Sequence, residues 1–196
     1  YNVKKSELMI FQSKTRKLVT VPPVLLNGVA LARVKEFKYI GHVVTEDLKD
    51  DKDIERERRA MAVRCNMLAR RFARCSVDVK ITLLKAFCQT LYTCNLWVSY
   101  TQRAFNALRV QYNNAFRLLL GLPRYCSASA MFAHAHTQGF SVVVRRRVAS
   151  LMGRMRGSTN TILRVISEKP DCPILRHWVR AHVLVPGVPQ GGRFLN

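Results

Sequence analysis

Seven of the twelve acidic residues in this 196-residue chain stand within twelve positions, from Glu46 to Glu57, while 33 Lys and Arg are spread along its whole length. Outside positions 46–57, 30 basic residues face 5 acidic ones, an excess of 25. That imbalance restricts what the chain can fold into. An unpaired buried charge is expensive, so nearly every cation must stay at the surface, and each element needs one apolar side and one cationic side. A surface of this kind repels itself, and a polyanionic partner, either nucleic acid or an anionic membrane face, accounts for it most simply. The excess of Arg favours nucleic acid, because the guanidinium fork matches phosphate oxygens bidentately.

At this length one ordinary domain or two small ones can bury most of their apolar surface without disulfides. The six cysteines (65, 75, 88, 94, 126 and 172) lie in apolar, helix-like segments without Cys-x-x-Cys pairing and read as reduced residues of an intracellular protein, nuclear or cytoplasmic. No signal peptide is evident. The most apolar stretch, 81–98, is interrupted by Lys85, Gln89 and Asn95, which argues against a membrane span. The chain starts at Tyr1 within what reads as the end of an element and is expected to be a piece of something longer.

Residues 7–11 predict a short strand, followed by a basic linker up to Pro22-Pro23. Asn27-Gly28 between Val24-Leu25-Leu26 and Val29 to Val34 predicts a hairpin with a type I′ turn. Phe37 to Thr45 predicts a third strand, with Gly41 inside it where a bulge or a close backbone approach is expected. From the acidic cluster onward the period changes. Ile54, Met61, Cys65, Leu68 and Phe72 form a helical stripe, with arginines on the other faces. Ser76 predicts the cap of a second helix running to about Tyr100, with Leu84, Phe87, Cys88, Leu91 and Trp97 buried. Further helices are predicted from about Phe105 to Gly121, from Ser127 or Ser129 to near Gly139, over Phe140–Arg156, and over about 159–168. Pro and Gly after Pro170 predict a flexible tail with at most a short helix around 175–183. The fold expected is mainly α with a small N-terminal antiparallel β element: an α+β chain built around a basic helical bundle.

Asp50-Asp51 has the look of a carboxylate pair for two Mg²⁺ ions. Its neighbours Lys49 and Lys52, and the helix that follows, favour the plainer role of acids that start a helix and offset its dipole. His134, His136 and Cys126, or Cys172, His177 and His182, match no common zinc spacing. One cationic helix face is ordinarily just solvated. Several such faces with little compensating acid point to phosphate contact.

Taken in order, the segments resemble the region after the catalytic box of reverse transcriptases from non-LTR (LINE-type) retrotransposons. Asn2-Val3-Lys4-Lys5-Ser6 before Leu8–Phe11 is similar to that family's Asn-x-x-Lys-Thr/Ser element, and Phe37-Lys38-Tyr39-Ile40-Gly41-His42 to its primer grip, with Ile40 where Leu is usual. The likeness continues through Phe72 with Cys75-Ser76 and Val79-Lys80, Tyr92 to Trp97, Tyr112-Asn113-Asn114 to Arg117, Leu120 to Arg124, and Ser127 to Phe132. It covers about residues 2–168 and not the tail.

The resemblance implies an end of the palm with the primer-grip hairpin over 1–48, a helical thumb with following helices over 49–169, and a flexible tail over 170–196. It implies a primer grip at Phe37, Lys38, Tyr39, Ile40 and Gly41, and Lys5 near a nucleotide's phosphates. For the thumb it implies contacts to an RNA–DNA or DNA duplex backbone. The candidates for those contacts are Arg58, Arg59, Arg64, Arg70, Arg71, Arg74, Lys80, Arg117, Arg124, Arg145, Arg146 and Arg147. The family's Mg²⁺-binding aspartates, with the rest of palm and fingers, would lie upstream of Tyr1, so the chain by itself is expected to hold no cofactor and to synthesise no DNA. The alternatives are a stand-alone nucleic-acid binder derived from such an element, and a basic helical scaffold for acidic proteins or anionic lipid.

Overall fold

The structure, a computed structural model, describes residues 2, 5–11 and 20–183; the basic linker 12–19 and the tail from 184 to 196 lie outside the described residues. The chain is mainly helical with a small β element at its N-terminal end. β1 (Glu7–Leu8) pairs with β4 (Ala32–Arg33) in parallel, β2 (Leu25–Leu26) with β3 (Val29–Ala30) antiparallel, and β5 (Glu36–Tyr39) with β6 (His42–Thr45) antiparallel. Asn27 and Gly28 have φ of 53° and 77°, as the predicted type I′ turn requires.

Residues 37–45 are not one strand. Ile40 and Gly41, with φ of 46° and 81°, form a second two-residue turn of the same kind, and Tyr39 pairs directly with His42. Gly41 therefore reverses the chain instead of making a bulge, and the expected close approach comes from elsewhere: a Cβ there would lie 2.8 Å from Cε1 of Tyr92.

α1 (Asp51–Arg71) packs chiefly along α3 (Gln102–Leu120). The stripe Ile54, Met61, Cys65 and Leu68 meets Leu108, Ala115, Phe116 and Leu119, and Cys65 donates to the Ala115 carbonyl at 3.3 Å. α2 (Val77–Phe87) begins at Ser76, whose hydroxyl accepts from Val79 N–H. It stops at Phe87, well short of Tyr100, and Phe87 is exposed. Residues 88–101 form an irregular arch with a 3-10 turn at Cys94–Leu96 and left-handed Leu91 and Thr93. The β-branched and aromatic residues there carry little helix propensity, and the backbone N–H groups of Val98 and Ser99 donate to Asp50 and the Trp97 ring N–H to Asp53.

α3 ends as expected on left-handed Gly121. α4 (Ala128–His134) is one turn shorter than predicted. α5 (Phe140–Arg156) has its predicted bounds, and α6 (Thr161–Glu168) is capped by Asn160. Tyr112 fastens α3 to the turn before α5 by donating to the Gln138 carbonyl at 2.7 Å and accepting from Gln89 Nε2 at 2.9 Å. α7 (Pro173–Val183) is the short helix expected near 175–183; it packs on α5, with Cys172 and His177 buried. All six cysteines are free, and burial pushes the thiols of Cys65 and Cys94 up to about 12 and that of Cys88 to about 11. No helix among the described residues is long and apolar enough to cross a membrane.

Candidate nucleic-acid interface

The acidic cluster starts α1, as expected, but it does more than offset the helix dipole. Asp53 and Glu57 follow the same four-residue spacing as Met61 and Cys65, and both carboxylates are fully buried. Asp53 Oδ1 accepts from Val43 N–H (3.0 Å) and Arg56 Nε (2.7 Å); Oδ2 accepts from Thr93 Oγ1 (2.6 Å) and Trp97 Nε1 (2.7 Å). His42 Nδ1 also lies 3.0 Å from Oδ2, and since an ionised carboxylate only accepts, that nitrogen carries its proton. One aspartate thus joins β6, α1 and the arch. Glu57 accepts from Arg56 Nη1 (3.2 Å) and Arg64 Nη2 (2.6 Å), which neutralises it inside the fold.

Asp50 does not cap α1; its Oδ2 accepts from the backbone N–H of Val98 and Ser99, each at 2.8 Å. Asp51 accepts from the N–H and hydroxyl of Thr101. The two neighbouring carboxylates are committed to protein donors in the 98–101 segment, so they do not fit a site for two Mg²⁺ ions. Among the described residues no group of three or more His, Cys, Asp or Glu is placed to hold a metal.

Burial alone would raise the Asp53 carboxyl, but donors from Arg56, Thr93, Trp97 and Val43 outweigh it and hold it at about 2, below its ordinary 3.8. A depressed folded-state value contributes stability above pH 3.8 and loses it as pH falls toward 2. Burial raises Asp50, which works in the opposite sense: its ionised form opposes folding, and that cost is relieved on acidification. Urea unfolding at pH 4 and at pH 2 is therefore expected to show an acid-induced loss of stability that is smaller in Asp53→Asn by about 2 kcal/mol, the remainder coming from other depressed carboxylates such as Glu55.

The acidic network fixes the β5–β6 hairpin to α1. Besides His42 and Val43 on Asp53, the Tyr92 hydroxyl donates to the Ile40 carbonyl at 2.8 Å, and Arg56 lies 6.0 Å from the Tyr92 ring centre. β6 faces the helix. β5 is exposed throughout, so Phe37, Lys38 and Tyr39 stand in solvent, with Ile40 72% exposed at the tip. Gly41→Ala is expected to lose about 2–3 kcal/mol, from left-handed strain plus the Tyr92 contact. Gly28→Ala, which has the same sign of φ and open space around it, is expected to lose only about 1 kcal/mol. Urea midpoints of the two variants check this, and equal losses would remove the Tyr92 contact from the account.

The candidate phosphate-binding cations separate into two groups. Arg58 and Arg59 hold Glu55, at 2.7 and 2.8 Å, and draw its carboxyl down to about 2; Arg64 is spent on Glu57. Arg117 donates to the Cys126 carbonyl at 2.8 Å and thereby ties down the loop after α3. Arg145 donates to its own helix at Ser141, and Arg147 to the Gln89 carbonyl at 3.3 Å. By contrast, the side chains of Arg70, Arg71, Arg74, Lys80, Arg124 and Arg146 make no ion pair or hydrogen bond among the described residues. Arg70, Arg71 and Arg74 are exposed, and with Lys80 they lie within eleven positions spanning the end of α1 and the start of α2. Arg124 and Asn66 line a groove of about 430 Å³ between α1 and the end of α3. Lys5 is exposed just before β1, and among the described residues its side chain joins neither the hairpin nor these arginines.

Arg56 and Thr93 were not among the candidate site residues read from sequence, and Trp97 was read there as a buried core residue and in the family likeness, not as a partner of Asp53. The four-residue step from Asp53 and Glu57 to Met61 and Cys65 is the signal that would have placed the carboxylates on the inward face; nothing local points to Thr93 and Trp97, some forty residues on. No family model, no curated protein and no solved structure matches this chain.

Proposed function

We propose that this chain binds an RNA–DNA or DNA duplex through its phosphate backbone, as the primer-grip and thumb region of a reverse transcriptase of non-LTR retrotransposon type. The observation that carries the reading is the division of charge along α1. Its N-terminal half compensates every arginine with a carboxylate, whereas its last turn and the turn beyond present Arg70, Arg71 and Arg74 with no acidic partner among the described residues. Unpaired, exposed, closely spaced guanidinium groups suit sequence-indifferent contact with phosphates.

The hairpin adds support. An exposed isoleucine in the left-handed region costs about 1 kcal/mol that Asn or Gly would avoid, and strain of this kind is kept where a surface has a task beyond folding. Apolar Phe37, Tyr39 and Ile40 with Lys38 between them offer a stacking and phosphate surface at the edge of the molecule. Catalysis is assigned to carboxylates outside this chain, by the resemblance alone.

Filter binding of a duplex across a salt series tests the reading. If six to ten cations meet phosphates, affinity falls roughly 10³- to 10⁵-fold between 50 and 200 mM salt. Absence of binding at 50 mM salt, or binding to anionic vesicles but not to duplex, would overturn it.

A further inference from the structure

Between α2 and α5 lies a cleft of about 440 Å³ whose walls contain three cations and no carboxylate: Lys85, Arg146 and Arg147. Val143, Arg146, Arg147 and Ser150 follow the i, i+3, i+4, i+7 spacing of one α5 face, and Lys85 and Gln89 stand four residues apart at the end of α2. The fold, in which α2 and α5 both pack on α3, therefore brings like charges from two helices to one cleft, and their convergence raises the energy of the empty cleft. Arg147 is already oriented, since one of its five N–H donors reaches the Gln89 carbonyl at 3.3 Å. Lys85 and Arg146 have no side-chain partner among the described residues. The volume falls in the range of small-ligand clefts, roughly 300–1,000 Å³, and is far too small to seat a duplex.

We propose that this cleft is a discrete binding site for a phosphate dianion or diphosphate group, held by Lys85, Arg146 and Arg147 with the Ser150 hydroxyl as a further donor. A terminal phosphate on a nucleic acid and a free polyphosphate present the same chemistry here. The site is distinct from the Arg70, Arg71 and Arg74 surface that carries the duplex reading, since its lining shares no residue with the end of α1 or the start of α2; it assigns Arg146 and Arg147, candidates for duplex contact by the resemblance, to a separate ligand, and pyrophosphate binding can fail or hold independently of duplex binding.

Isothermal titration of the full chain with inorganic pyrophosphate at 50 mM salt is the test. Saturable binding at one equivalent is expected, weakened at least tenfold by Lys85→Ala and by Arg146→Ala, both exposed positions at which the fold should be kept. Arg109→Ala, an exposed cation of α3 outside the cleft, is expected to leave the affinity within twofold. No saturable binding, or an equal loss in Arg109→Ala, would overturn the site, the latter by showing that only the general positive field is felt. A second arm compares a short 5′-phosphorylated oligonucleotide with its 5′-hydroxyl counterpart. Tighter binding of the phosphorylated strand that Arg146→Ala removes assigns the site to a strand end; equal binding, with pyrophosphate still bound, assigns it to a free phosphate compound.

Discussion

Asp53→Ala is expected to destabilise the protein by about 3–5 kcal/mol, a large share of the 5–15 kcal/mol that holds an ordinary domain folded. The carboxylate is fully buried and its partners come from three separate parts of the chain: His42 and Val43 in β6, Arg56 in α1, Thr93 and Trp97 in the arch. Removing it strands the Trp97 N–H and the Val43 N–H without acceptors and leaves Arg56 with Glu57 as its one carboxylate partner among the described residues. Each neutral donor left unsatisfied costs about 1–3 kcal/mol, and the charged one more. Glu55→Ala provides the comparison. Its ion pairs with Arg58 and Arg59 are partly open to water, and the expected loss is within about 1 kcal/mol. Urea unfolding followed by tryptophan fluorescence measures both. A loss below about 1 kcal/mol for Asp53→Ala would mean that water or a rearranged arch replaces the carboxylate at little cost.

The triple variant Arg70→Ala, Arg71→Ala, Arg74→Ala is expected to weaken duplex binding by about 10²- to 10³-fold at 0.1 M salt and to reduce the salt slope by about 3. Stability should barely change, because these side chains are exposed and hold no partner among the described residues. The matched triple at Arg58, Arg59 and Arg64 should behave in the reverse way. Arg64 sits 2.6 Å from a fully buried Glu57, so its loss leaves that carboxylate short of a partner and costs stability, while the salt slope moves little. Slopes and melting temperatures measured side by side on the two triples decide the matter. Equal slopes would show that paired and unpaired arginines serve alike and would take away the observation on which duplex binding rests.

Much of the framework was legible from local patterns. The turn at Asn27-Gly28, the Gly121 stop and the bounds of α5 each depend on residues adjacent in sequence, whose φ preferences and helical period operate before any tertiary contact forms. The hairpin at Ile40-Gly41 was read as a continuous strand because isoleucine is a poor left-handed residue. What permits it is the Tyr92 hydroxyl on the Ile40 carbonyl, fifty-two positions away. The second helix was extended to Tyr100 because Leu84, Phe87, Cys88, Leu91 and Trp97 read as one apolar, buried face, of which Phe87 is exposed in the structure. It stops at Phe87, and the far end of the arch is instead held by Asp50, Asp51 and Asp53, which accept from the backbone of Val98, Ser99 and Thr101 and from the Trp97 ring.

The sequence by itself determined that this chain must be a mostly helical, strongly cationic body with one acidic segment at a helix start, since composition and period suffice for that. Only the tertiary structure decided which charges are spent. Pairing depends on distances between residues far apart in the chain, and in a low-dielectric interior those distances turn Asp53 and Glu57 into the anchors of β6, the arch and two of the six arginines of α1, leaving Arg70, Arg71 and Arg74 without a partner among the described residues.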